Sequence, residues 1–349
     1  MTDVGGGIVR ARVALTKGAG RAENIDAALR LLESDIDLEN KSDVFIKVNF
    51  VSTTNQHAAT HADAVRALLR FLRERYDGKI TIGESTIVPA REGYANFGYL
   101  ELAREFNVEL VDLNQGEWVE VGVYDSHLKP IKVRFSKRVA DSDYRIAIGP
   151  PKTHDIVVAT LSIKNLAMGA LYYRVKTGSG GALRGLLKTS YKLLPSSLRR
   201  TGRLSRMRDT AAVHAGGDKR RMHQGYPVHN LNLYLVAAAH PLHLSVIDGH
   251  VGMEGDGPET GDPVDWGVAV ASADPVAADC LTAQLMGFEI SDIGYLWYCQ
   301  SMGLGVGDMS QMEILGADPH DCRRRFRPPA RFAEQKAWRD DRVSGLLGL

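Results

Sequence analysis

Through its first 150 residues the chain alternates segments that read as strands with segments that read as helices, and this alternation restricts the fold more than any other feature. Parallel strands need a crossover between them, which a helix usually supplies. The expectation is therefore an α/β fold with mostly parallel sheets and flanking helices. Residues 8–15, 43–50 (DVFIKVNF), 79–83, 108–113 and 144–148 read as strands, and residues 23–32 and 94–106 as helices. Thr60 and Asp63 have the spacing of a capping box, Thr-x-x-Asp, which opens a helix carrying Val65, Leu68, Leu69 and Leu72 and leaves His61 at its first position. The second half repeats the theme, with a helix near 230–239, strands at 244–248 and 267–272, and a helix at 275–286 that has proline in its first turn. Two lobes around a cleft are expected, residues 1–150 and 151–318, followed by a basic tail at 319–349.

The 349 residues carry 43 Lys+Arg against 42 Asp+Glu and are 44% hydrophobic, an ordinary globular composition. Three cysteines, Cys280, Cys299 and Cys322, cannot supply the four thiolates of a common iron–sulfur cluster. An odd, sparse count also argues against a disulfide-stapled secreted fold, so a cytoplasmic setting is expected. The N-terminus lacks the basic and apolar regions of a signal peptide. The most apolar stretch, 231–246, is interrupted by His240, Pro241 and His243 and is shorter than the roughly 20 residues that span a bilayer. No membrane span is expected.

Between the halves, residues 174–221 hold 13 Lys+Arg and only two acids, Asp209 and Asp218. With its glycines and serines this segment reads as a basic, solvated flap. It also admits capture of an anionic substrate or coenzyme, or binding of nucleic acid or an anionic membrane. The aromatics in or beside it, Tyr172, Tyr173 and Tyr191, are too few for a base-stacking platform, and the near-zero net charge of the whole chain ranks nucleic acid last.

In open α/β sheets ligands sit beyond the carboxyl ends of the strands. Lys47 and Asn49, Glu84 and Ser85, Asp248 and Gly249, and Asp274 all end predicted strands, and Lys152 and His154 follow the strand at 144–148. Such a set could bring cations, a histidine and carboxylates to one cleft, although Asp and Asn at strand ends also cap turns. His154 suits proton or hydride transfer if a lysine and a carboxylate stand beside it. Lys164 lies in the apolar run LSIKNLAMGALYY, where an ammonium must snorkel, pair with a strand-end acid, or act. His57 and His61, four apart, would share a helix face only if the helix began early. The acidic glycine-rich loop at 253–263 could at most hold a cation. No Gly-x-Gly-x-x-Gly after a strand, no Walker lysine and no Gly-x-Ser-x-Gly elbow is present, which weakens dinucleotide, P-loop and serine-hydrolase readings.

In order along the chain, the blocks KVNF (Lys47, Asn49), THADAVRALL, ITIGES (Glu84), PKTHD (Lys152, His154), IKNLAMG (Lys164, Asn165, Gly169), HNLNLYL (His229, Asn230), VIDGHVGMEGDGPETGDP (Asp248, Glu254) and SADPVAAD (Asp274, Asp279) resemble the family called domain of unknown function 362. They cover about residues 43–305. The resemblance implies a cytoplasmic bacterial or archaeal α/β protein found beside redox chemistry, with a redox partner protein. Relatives frequently carry a ferredoxin-like domain with Cys-x-x-Cys-x-x-Cys, and these three scattered cysteines depart from that pattern. A fainter similarity is to the lactate racemase family, in which a histidine precedes by ten residues a lysine that tethers a nickel-pincer nucleotide. His154 and Lys164 have that spacing, but the glycine-rich stretch between them is replaced by DIVVATLSI.

The expectation is an enzyme acting on an anionic small molecule, a carboxylate or hydroxy acid, by proton or hydride transfer, as an oxidoreductase or an isomerase of racemase type. His154, Lys164 and Glu84 are its candidate catalytic residues, and Lys47, Asn49, Lys152, Asn165 and His229 its candidate substrate-binding residues. A metal ion at His57, His61, Asp248 and Glu254, or a nucleotide-derived cofactor, is admitted. The alternatives are a non-catalytic protein that binds or matures a cofactor or metal, and a nucleic-acid binder acting through the basic flap.

Overall fold

The structure, a computed structural model, describes residues 10–86, 88–173 and 217–349. In chain order the elements that matter here are β1 (Ala11–Lys17), α1 (Arg21–Leu31), β2 (Asp43–Lys47), α2 (Ala62–Arg73), β3 (Lys79–Glu84), α3 (Ala90–Asn96), α4 (Tyr99–Glu105), β4 (Glu109–Asp112), β5 (Trp118–Tyr124), β6 (Pro130–Ser136) and α5 (Lys137–Ala140). These are followed by β7 (Tyr144–Gly149), β8 (Lys152–His154), β9 (Val158–Thr160), α6 (Ser162–Gly169), α7 (Asp218–Met222), α8 (Tyr226–Ala239), β10 (Leu244–Glu254), β11 (Asp262–Ser272), α9 (Pro275–Leu285) and β12 (Met312–Gly316). The basic flap expected at 174–221 lies outside the described residues except for its last five, which enter α7.

One main sheet runs in the order β12-β1-β11-β10-β7-β2-β3-β4, with β8 pairing β10 and β9 pairing β8. Its pairs are mostly parallel, with antiparallel joins at β1–β11, β10–β11 and β8–β9. The α/β expectation therefore stands. Strands of both sequence halves interleave, since β10 and β11 lie between β1 and β7, so the sheet runs through the boundary expected near residue 150. Buried on both faces, β2 supplies Val44 and Ile46 to one core, with Ile25, Leu29, Val65 and Leu68 of α1 and α2. It supplies Phe45 to the other, with Leu166 of α6 and Leu231 of α8. Strand alternation then places Lys47 on the face of Phe45, under α6.

Several local expectations are corrected. The Thr60 hydroxyl does not cap α2; it accepts the Asn49 N–H at 2.8 Å and donates to the Ile148 carbonyl at 3.0 Å, tying the exit of β2 to β7. His61 caps instead, its Nδ1 accepting the Asp63 N–H at 3.1 Å, and the helix begins at Ala62. The helix expected at 94–106 is two, α3 and α4, because Gly98 between them takes the left-handed φ of 80°. The acidic loop is shorter than expected: β10 and β11 continue into it, pairing Met253 with Pro263 and Glu254 with Asp262. The hairpin of β5 and β6 was not foreseen. Among the described residues no helix is long and apolar enough to cross a membrane.

Candidate functional site

The polar residues that end β2, β3 and β7 meet beneath α6. Lys47 Nζ lies 2.7 Å from Glu84 Oε1, both side chains being buried. β2 and β3 pair in parallel with Lys47 opposite Gly83, which puts the two residues at the same end of the sheet. Both oxygens of Glu84 accept: Oε1 also takes the Ser85 N–H at 2.7 Å, and Oε2 takes the Phe50 N–H at 2.6 Å. Lys47 further donates to the Val48 carbonyl at 2.5 Å and to Asn165 Oδ1 at 3.2 Å. Burial pushes the Lys47 pKa down, and the charge of Glu84 opposes that shift.

From there the network continues through amides. Asn165 Oδ1 accepts from Asn49 Nδ2 at 3.1 Å, and Asn49 Oδ1 accepts from Lys152 Nζ, which also donates to the Ala58 carbonyl at 3.1 Å. Five of the residues predicted from sequence, Lys47, Asn49, Glu84, Lys152 and Asn165, thus form one hydrogen-bonded chain. Helix α6 closes on it so tightly that a Cβ on Gly169 would stand 2.4 Å from Lys47 Nζ. The helix itself is seated by Asp279 of α9, whose carboxylate accepts the N–H groups of Ser162 at 3.0 Å and Ile163 at 2.9 Å and the Ser162 hydroxyl at 2.5 Å. Those are first-turn donors that an isolated helix leaves unpaired.

Lys164, on α6, is 7% exposed and among the described residues makes no hydrogen bond or ion pair. Burial pushes its pKa down to about 7, with Asp155 pulling it up and Lys219 pushing it further down. Lys152 is brought down to about 7 by burial and then by the charge of Lys164. Amines in this range are half neutral at physiological pH and can exchange protons. His154 shares β8 with Lys152, two residues on and so on the same face; its Nδ1 accepts the Ile156 N–H at 3.0 Å and stands 3.3 Å from Asp155 Oδ1.

Two neighbours of Lys164 were missed. Lys219 of α7 donates to the Ser85 carbonyl at 2.6 Å, and burial brings its pKa to about 8. His223 follows one helical turn later, its Nδ1 2.7 Å from the Lys219 carbonyl and its ring stacked on His229 at 4.4 Å. Burial lowers the pKa of His223 to about 4 and holds that of His229 well below its ordinary value, so both imidazoles are neutral. His229, predicted from sequence, is fully buried with Nδ1 2.8 Å from the Met222 carbonyl and with Nε2 unpartnered among the described residues. Lys219 was hidden in a segment, 174–221, whose charge count alone read as solvated, and His223 lies just beyond it. The one local signal was Asp218, which anchors α7 by pairing with Arg134 at 2.7 Å.

The expected metal set is not assembled. Asp248 is held by Arg21 at 2.9 Å, Glu254 accepts the Arg327 N–H at 2.9 Å, His57 is exposed and His61 serves as the cap of α2. Among the described residues no group of three or more His, Cys, Asp or Glu is arranged to hold a metal. Toward a tethered cofactor of the kind implied by the lactate racemase resemblance, the described residues offer the amine of Lys164, without a partner among them, and no such ligand cluster. A surface depression lined by Arg73, Asp77, Lys79 and Glu109 opens at the opposite ends of β3 and β4, where Lys79 and Glu109 neutralise each other at 2.8 Å.

The family model of the domain of unknown function DUF362 matches residues 44–284. The chain belongs to this family. The DUF362 region runs from β2 into α9 and contains every residue of the network, from Lys47 to Asp279. A thylakoid-associated protein of Synechocystis sp. is 24% identical over 264 residues, 75% of this chain and 68% of that protein. The lactate racemase apoprotein of Thermoanaerobacterium thermosaccharolyticum aligns with a TM-score of 0.42 at 12% identity, over 82% of this chain and 59% of the racemase chain.

Proposed function

We propose that this DUF362 protein is an enzyme that binds an anionic small molecule of the carboxylate or hydroxy-acid kind at the carboxyl ends of β2, β3 and β7 and moves a proton on it. The observation that carries the reading is Lys164, a buried amine without a partner among the described residues and with a pKa brought down to about 7. A surface lysine gains nothing from such placement, whereas a general base needs a neutral form at working pH. Lys152, with a donor to spare, binds the anion, and His154 on the same face of β8 serves as the second acid or base. Glu84 and Lys47 neutralise each other and act as positioning residues that fix Asn165 and, through it, Asn49. Hydride transfer at the same place would need a hydride acceptor supplied by a bound cofactor.

The test is proton exchange. The protein is incubated in D2O with short 2-hydroxy and 2-oxo carboxylates, and deuterium entry beside the carboxylate or carbonyl is followed by proton NMR. Exchange that disappears in Lys164→Met and in His154→Ala, with circular dichroism unchanged, is the expected result. Binding of the same compounds without exchange of any of them overturns the enzymatic reading in favour of a protein that captures a ligand for a partner.

A further inference from the structure

We infer that the molecule bound at this site carries two anionic groups and that Lys219, held on the Ser85 carbonyl, takes the second. The inference rests on the proposed anion site and names the class of its ligand. Its first ground is an account of donors. A lysine ammonium has three N–H groups. Lys47 spends all three, on Glu84, Val48 and Asn165. Lys152 spends two, on Asn49 and Ala58, and Lys219 spends one, on the Ser85 carbonyl. Besides Lys164, the proposed base, Lys152 and Lys219 are thus left with donors unspent among the described residues. Lys152 is fully buried and Lys219 half-buried, and an ammonium kept from water without acceptors is costly.

Placement is the second ground. Lys152 is anchored through Asn49, at the exit of β2, and Lys219 through Ser85, at the exit of β3. Both anchors lie at the same end of the neighbouring parallel strands β2 and β3. Lys164 interacts electrostatically with both. The acids that act on them, Glu259 on Lys152 and Asp112 on Lys219, do so at a distance, and Glu84 is already committed to Lys47. Two amines seated on different strands are matched by two anionic groups, so a dicarboxylate or a phosphorylated carboxylate satisfies both where a single carboxylate leaves one unanswered.

Lys219 also has a defined seat. It is held by Ser85, its Nζ stands 5.8 Å from the centre of the Tyr173 ring, and the Lys219 carbonyl is bound by His223. His223 is neutral and so leaves Lys219 as the cation at this end.

The experiment is isothermal titration of the full chain with matched pairs: propionate against succinate, butyrate against glutarate, and glycolate against phosphoglycolate. The wild type is expected to bind the two-anion member at least tenfold more tightly. Lys219→Met should erase that preference while changing affinity for the one-anion member less than twofold, and Lys219→Arg should restore it. Circular dichroism and an unchanged one-anion affinity report a folded variant. Equal affinity within each pair in the wild type, or a preference that survives Lys219→Met, overturns the inference and leaves the anion site standing. If neither member of any pair binds, the proposed anion site falls and this inference with it. The dicarboxylate and phosphoglycolate arms tell which second anion is taken.

Discussion

Lys47 and Glu84 form a buried ion pair, Nζ to Oε1 2.7 Å, at the shared end of two adjacent parallel strands. Every other hydrogen bond of the two groups is also made inside the protein, which is what allows two charges to stay out of water. Removing one partner strands the other. Lys47→Met or Glu84→Gln alone is therefore expected to cost about 3–5 kcal/mol of stability. The double variant should recover part of that loss, because it leaves no buried charge. Urea denaturation of the four proteins at pH 7 checks this, and single-variant costs that simply add in the double variant would contradict it.

Gly169 is the point where α6 comes closest to that pair. A Cβ there would lie 2.4 Å from Lys47 Cε and Nζ and 3.4 Å from Glu84 Oε1, so Gly169→Ala must displace the ammonium or the helix. A destabilisation of about 1–3 kcal/mol is expected, despite the higher helix propensity of alanine. The same change at Gly345, which faces open space within helix Asp341–Leu347, is expected to be neutral or stabilising. Thermal melting of both variants, set side by side, separates crowding from propensity.

Much of the site was legible in the sequence because strand ends are. Lys47, Glu84 and Lys152 each follow an apolar run read as a strand, and parallel topology brings such ends together whatever the order of the strands. Asn49 was legible as a strand-end residue and Asn165 as a member of a family block, neither for the amide bridge they make. What was not legible depends on contacts between distant segments. Thr60 has the spacing of a cap but is taken by Asn49 and Ile148, 11 and 88 residues away. Asp248 and Glu254 looked like metal ligands until Arg21 and Arg327 arrived beside them. Lys219 sat in a run whose charge density hides individual roles, with His223 just past its end, and only the fold against Ser85 and His229 separates the two from their neighbours.

The depressed lysines should make stability rise with pH. Lys152 and Lys164 have folded-state pKa values near 7 against an ordinary 10.5, so from about pH 7 upward the unfolded chain holds protons that the folded one has released. Stability increases wherever the unfolded state binds more protons. Below pH 7 the penalty of the two buried ammonium groups is fully present. Denaturation midpoints are therefore expected to climb between pH 7 and 8.5, below the range in which unfolded cysteines ionise and the raised pKa values of buried Cys280 and Cys299 act in the opposite sense. Lys164→Met should flatten the slope and raise stability at pH 7. The same titration governs the proposed chemistry: exchange by the wild type should increase through pH 7 as the Lys164 amine becomes free.

Asp279 sets a separate, lower window. It is fully buried and takes three donors from the first turn of α6, so Asp279→Ala leaves the N–H groups of Ser162 and Ile163 without acceptors. A loss of about 2–3 kcal/mol is expected, and because α6 carries Lys164 and Asn165, proton exchange should fall with it. Burial raises the Asp279 pKa to about 7 against an ordinary 3.8, with the helix donors pulling the other way. Between about pH 4 and 7 the folded state then holds a proton that the unfolded state lacks, and this group makes stability fall as pH rises across that window. Asp279→Asn keeps an acceptor for α6 and removes the titration. Its denaturation midpoint should sit between those of wild type and Asp279→Ala at pH 5, and its pH 4–7 profile should lose the downward contribution seen in the wild type. A wild-type profile that matches the asparagine variant would mean that the helix donors hold Asp279 ionised throughout.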